Sequence, residues 1–226
     1  MADILDIISS KGALTPINVG QYASFSGKGM RFHLEAFDFE GLCHVSVLKA
    51  SGFLGLMKMD TVIFTPYGVD LPIFSYDGIK VAGKRTELME FCDSQLAPAD
   101  PLPAGQDSAV LESLVAIRQK YADLPDKPHD WGWETPFILA PSGMKTGKGQ
   151  RPAAFAAEMM AAYLDLFPQA AICDPDAKRR RSSDYVEGLI SHGGPAIGLM
   201  RQIWGDEATE DLFRRFIFGT LRESLA

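Results

Sequence analysis

Three carboxylates stand in stretches that otherwise read as strand interior: Glu35 in Met30–Phe37 (MRFHLEAF), Asp60 in Met59–Thr65 (MDTVIFT) and Asp77 in Leu71–Asp77 (LPIFSYD). In the first, Met30, Phe32, Leu34 and Ala36 alternate with Arg31, His33, Glu35 and Phe37, which is the period of a strand. The other two are β-rich and apolar, each with an aspartate near one end. An ionised carboxylate in a half-buried strand is costly unless paired or hydrogen-bonded, so three of them invite a chemical explanation. The chemistry open to such groups is proton transfer. An apolar setting and a neighbouring carboxyl raise the pKa, so the acid form persists near neutral pH. Carboxylates sharing one site cannot all ionise cheaply and together act as a proton reservoir. The residues alone equally allow Glu35 and Asp77 to be surface ion pairs on a solvent-facing strand.

The elements that must position these acids follow from the pattern of the whole chain. Gly20–Ser26, Met30–Phe37, Gly41–Lys49, Met59–Thr65 and Leu71–Asp77 read as strands separated by glycine-containing turns, and Gly78–Gly83 extends them by a hairpin. Thr86–Ser94 reads as either strand or helix. A Pro- and Ala-rich connector, Ala97–Gly105, leads to a helix over Ser108–Tyr121 with Ser108 as its cap. Trp131–Leu139 returns a strand to the sheet. Helices are predicted over Pro152–Phe167, Tyr185–Ser191, Ala196–Trp204 and Glu207–Leu221, with Pro152 in a first turn and Gly205 between the last two. Sequential strands followed by segregated helices predict one α+β domain over residues 1–226, with a mainly antiparallel sheet.

Composition removes several classes of function. The chain has 226 residues, 46% hydrophobic and 23% charged, as in an ordinary globular protein. No apolar run reaches the roughly 20 residues that span a bilayer. The opening MADILDIISSKG is acidic and reads as a short amphipathic helix rather than a secretory signal. Cys43, Cys92 and Cys173 are odd in number and form no CxxC pair, which fits a reducing cytoplasm and neither a disulfide framework nor a zinc site. His33, His44, His129 and His192 form no HxH or HExxH pair, so no metal is expected. A net charge of −7 argues against nucleic-acid binding. No P-loop, GxGxxG or GxSxG is present, and SGMKTGKGQ reads as a flexible loop. Against the acidic background, Lys178, Arg179, Arg180 and Arg181 form one basic run. It reads as a solvated helix start or as a docking patch for an acidic partner.

MRFHLEAF, MDTVIF and YGVDLPIFSYD, in this order, resemble the ferredoxin-dependent bilin reductase family, whose strand carrying HLE precedes a Pro-Ile/Leu-Phe-x-x-Asp segment. Gly193–Phe218 (GGPAIGLMRQIWGDEATEDLFRRFIF) resembles that family's ending, so the likeness spans about Gly20 to Phe218. The resemblance implies a three-layer α/β/α sandwich around a central, mainly antiparallel sheet. It implies a linear tetrapyrrole, such as biliverdin IXα, bound between sheet and helices. It also implies no bound cofactor, with reduced ferredoxin supplying single electrons. Under it, Asp77 is the central proton donor and Glu35, on a neighbouring strand, holds or relays a second proton. Asp60 stands where phycocyanobilin-producing members have a histidine, and Gly194 where several members have a second aspartate; His192 lies beside it. His33 and His192, with Lys145, Lys148 and Arg151 as partners for the bilin propionates, complete the expected pocket. Lys178, Arg179, Arg180 and Arg181 suit either the propionates or, equally, an acidic ferredoxin. Trp131, Trp133 and Trp204 read as core or pocket wall. Related expectations are a reductase of a chlorophyll-derived linear tetrapyrrole, and a bilin carrier without turnover.

Overall fold

The computed structural model describes residues 4–96 and 109–221. In chain order the helices are α1 (Ile4–Ser9), α2 (Glu112–Lys120), α3 (Arg151–Leu164), α4 (Pro175–His192), α5 (Pro195–Trp204) and α6 (Asp206–Asp211). The strands are β1 (Leu14–Ile17), β2 (Ser24–Gly27), β3 (Met30–Phe39), β4 (Cys43–Gly52), β5 (Met57–Pro66), β6 (Ile73–Val81), β7 (Lys84–Cys92), β8 (Asp126–Lys127) and β9 (Ile138–Lys148). They form one sheet in the order β1-β3-β4-β5-β6-β7-β9-β8, with β2 also on β3. Every ladder is antiparallel.

Both faces of the sheet are covered, which gives the expected α/β/α sandwich. On the first face Phe64, Phe74 and Phe91 stack across three adjacent strands, at 5.8 and 4.7 Å between rings, and Tyr163 of α3 lies against them. Burying so much aromatic surface is what holds α1, α2 and α3 to this side. On the second face Leu34, Leu48, Ile63, Ile73 and Cys92 meet Val186 and Ile190 of α4, Ile197 and Met200 of α5, and Leu212. His44 and Ser46 of β4 lock this layer down: His44 Nε2 bonds the Phe216 carbonyl at 2.8 Å, and the Ser46 hydroxyl donates to that of Ile217 at 2.8 Å. Among the described residues, no helix is long and apolar enough to cross a membrane.

Several elements differ from their sequence expectation. Thr86–Ser94 resolves as strand, because Lys84–Cys92 pairs with β6 along its whole length. SGMKTGKGQ is not a loop: Gly143 and Gly147 belong to β9, where the ladder with β7 satisfies the backbone and a Cβ would collide with Arg118 or Pro152. Gly132–Phe137 is a 3-10 turn rather than strand; Pro136 within it has no N–H for a ladder. Gly20–Ala23 is likewise a 3-10 turn, leaving only Ser24–Gly27 as strand. Helix α4 starts ten residues before Tyr185, because Asp174 caps it by accepting from Ala177 N at 2.6 Å and Pro175 fits its first turn. The predicted final helix divides into α6 and a π-helical turn, Leu212–Ile217. The connector Ala97–Gly105 and the proposed cap Ser108 lie outside the described residues.

Candidate active site

Register decides which acids share a surface. Thr61 of β5, Asp77 of β6 and Leu88 of β7 lie opposite one another, and so do Ile63, Ser75 and Glu90 in the next row. Directly paired residues point to the same face, and Ile63 packs in the second-face core, so Asp77 and Glu90 both look toward α4. They are diagonal neighbours on adjacent strands. Glu90 sits where the β7–β9 register breaks, between Met89 and Phe91, and so has no partner on β9. Such breaks re-aim side chains and recur beside active sites.

The surroundings keep both carboxyls protonated above their ordinary range. Burial raises the Asp77 pKa, and the Thr61 hydroxyl, which donates to Asp77 Oδ1, opposes this only in part. Burial pushes Glu90 up to about 8, helped by the charges of Asp77 and Glu134, while a hydrogen bond from Ser75 pulls it down. Glu134, from the 3-10 turn, is itself raised by burial. All three keep part of their surface accessible. The wall alongside is aromatic: Trp133 stacks on Tyr185 of α4 at 5.9 Å, Phe137 meets Tyr185 at 5.5 Å, and Trp131 meets His129 at 4.2 Å. Tyr185 also hydrogen-bonds the buried Cys92 thiol.

This arrangement predicts a sign for the pH dependence of stability. The unfolded chain ionises Glu90 near 4.5, whereas the native protein holds its proton to about 8. Stability from this group is therefore full below the unfolded value and lost as pH rises toward the folded one. Between about pH 5 and pH 9 the wild-type melting temperature should fall more than that of Glu90→Gln, by about 5 °C or more. Parallel melting profiles would show that Glu90 is not held protonated.

The structure does not bring the other expected acids to Asp77. Glu35 lies in the row Val47, Val62 and Tyr76, on the first face and three strand spacings from β6, about 14 Å away. It lies 3.7 Å from His33, whose Nδ1 bonds Ser24. Asp60 pairs with Gly78, one residue off Asp77, and so also faces α3, lining a small cavity with Tyr76 and Arg85. There Tyr76 donates to Glu87 at 2.8 Å and Arg85 to Glu87 at 2.6 Å. Gly78 is needed in that row, because a Cβ would overlap the Tyr76 hydroxyl.

The expected anion partners are also elsewhere. Lys145 is opposite Glu87 on the first face, 2% exposed, donating to the Leu124 carbonyl at 3.0 Å. Arg151 pairs with Asp123 at 2.8 Å and covers the Tyr121 ring, and Lys148 lies at the exposed end of β9. His192 alone borders the site, its ring 5.6 Å from that of Trp133. The basic run lies in the first turns of α4, where Lys178 turns inward and the other three cations keep part of their surface exposed. Lys178 is 0% exposed, bonded to Asp70 at 3.0 Å and to the Ser94 carbonyl at 2.5 Å. Arg179 lies over Tyr67, Arg181 reaches Asp93 at 3.4 Å, and Arg180 is the exposed member.

Glu90 is the residue that sequence reasoning missed. Its signal was present in KRTELMEFC, where one acid interrupts the Leu88 and Cys92 face, but it becomes visible only once the segment is read as strand. Glu90, His129 and Glu134 have ligand atoms within 4.8 Å of one another, a spacing that could also hold a divalent cation. A separate cleft of about 540 Å³ lies between Tyr22, Trp204 and α6. Three of its acids, Asp206, Glu210 and Asp211, are paired with Arg201, Arg214 and Arg215.

No protein-family model matches the sequence, and no curated protein matches it. Among solved structures the fold is similar to that of phytochromobilin synthase from tomato, determined in complex with biliverdin. The TM-score is 0.69, over 94% of this chain and 79% of that chain, at 17% sequence identity. The shared property is the fold: an antiparallel sheet layered between helices.

Proposed function

We propose that the chain is an oxidoreductase that reduces an open-chain tetrapyrrole, biliverdin IXα or a close relative, with Asp77 as proton donor and reduced ferredoxin as electron source. The observation that carries this reading is Asp77 itself, a buried carboxyl whose pKa burial raises, on the same sheet face as Glu90 and the aromatic cluster of Trp133 and Tyr185. The likeness to a bilin-binding structure supports it. A bilin is a long conjugated system that accepts an electron without help from a bound redox group. What it then needs is a proton placed at a chosen carbon, which a positioned acid with a raised pKa supplies. Trp131, Trp133, Phe137 and Tyr185 offer flat apolar surface to such a ring system.

The test is anaerobic absorbance spectroscopy of the purified protein with biliverdin, before and after a ferredoxin reducing system is added. A bound-bilin spectrum that passes through a radical-like intermediate to a new product is expected. A bound spectrum that never changes would make the protein a carrier, and absence of binding would remove the bilin reading altogether.

A further inference from the structure

We propose that Glu90, reached from solvent by way of Glu134 and His129, reloads Asp77 with a proton between the two protonations of the bilin. The inference rests on the reading of Asp77 as donor. Reducing one carbon–carbon double bond takes two electrons and two protons, and Asp77 carries a single proton. Its hydrogen-bond donor Thr61 is a hydroxyl, which has no acidic proton to give near neutral pH. A second proton must therefore enter from outside.

The geometry offers a route on the same sheet face. Glu90 is the diagonal neighbour of Asp77, about 7 to 8 Å away along the backbone, a gap that two carboxyl side chains or one water close. At the break in the β7–β9 register no described residue of β9 pairs with Glu90. Glu134 and His129 stand there instead, with ligand atoms within 4.8 Å of one another and of Glu90. Exposure increases outward, from half-buried Glu90 and Glu134 to exposed His129. The charged groups acting on Glu90, Asp77 on β6 and Glu134 on the 3-10 turn, are both acidic, and Ser75 donates to it. Its other titratable neighbours, Cys92 of β7 and Tyr185 of α4, are both held neutral by burial. Against two acidic neighbours only Ser75 favours a negative charge on Glu90, so a proton passed to Asp77 is readily replaced from the solvent side.

The steps balance as follows. The bilin takes one electron from reduced ferredoxin and one proton from Asp77, giving a neutral radical and the Asp77 carboxylate. The Glu90 acid passes its proton to Asp77 and regains one from bulk water through Glu134 and His129. A second electron and the second Asp77 proton then complete the reduction.

The experiment is anaerobic stopped-flow absorbance and electron paramagnetic resonance on wild type and Glu90→Gln, with biliverdin and reduced ferredoxin, across pH. In the variant the first electron and proton should arrive at the wild-type rate. The second protonation should slow by about tenfold or more, with the radical accumulating and the pH profile of that step flattened. Glu134→Gln should give a smaller delay at the same step, and a chelator should change nothing. Glu90→Gln finishing both steps at wild-type rates, with the wild-type pH profile, would overturn the relay. So would loss of the second step in chelated wild type, which would assign Glu90, His129 and Glu134 to a divalent cation. Infrared spectra give a readout apart from turnover: a carboxylic acid band near neutral pH that Glu90→Gln removes is required, and its absence overturns the relay. A wild-type protein that reduces no bilin overturns the Asp77 reading instead, and the relay with it.

Discussion

Asp77→Asn is expected to abolish bilin reduction while leaving bilin binding intact. Asparagine keeps the size of the side chain and can still hydrogen-bond Thr61, so the β5–β6 row in which residue 77 sits is undisturbed. What it cannot do is give up a proton. Loss of a positioned general acid typically costs about 10²- to 10⁴-fold in rate, and here no second acid occupies the same position, since Glu35 and Asp60 lie on the other face of the sheet and Glu90 one row away. The electron should still enter, so the variant should trap a reduced, unprotonated bilin that wild type never accumulates. Turnover assays, paired with a binding titration by absorbance, check both halves. An Asp77→Asn protein that reduces bilin at more than about a tenth of the wild-type rate would move the donor elsewhere.

Lys178→Met is expected to destabilise the protein strongly and to leave binding of the proposed ferredoxin donor unchanged. The Lys178 ammonium is sealed from solvent between Asp70 and Ser94, joining α4 to the segments that follow β5 and β7. Burial pulls its pKa down, and Asp70 opposes that. Methionine fills much of the space but leaves the Asp70 carboxylate without its cation. Breaking a buried pair from one side costs about 3 to 5 kcal/mol, which in a chain of this size lowers the melting temperature by about 10 °C. Calorimetry of the single variant and of Lys178→Met with Asp70→Asn checks the origin, because the double variant should recover part of the loss. A variant melting within about 2 °C of wild type would show the pair to be dispensable.

The sequence by itself determined a good deal. Alternation in MRFHLEAF and the β-rich LPIFSYD marked strands that are found, and a β-rich half followed by helices specified the layered α+β architecture. Both are local: a period of two, or a turn of glycines, is written in consecutive residues. Asp77 could be singled out for the same reason, as an acid at the end of an apolar strand. The basic run was equally visible, yet its direction was not, since it falls in the first turns of helix α4, which turn Lys178 inward. The composition of the site was decided only by tertiary structure. Whether two acids on different strands share a face depends on the register between those strands, and a shift of one residue reverses the answer. Asp60 pairs with Gly78 and Thr61 with Asp77, so that single step sends Asp60 to the α3 side and leaves Asp77 facing Glu90's side of the sheet, where a strand that reads ambiguously in sequence supplies the second carboxyl.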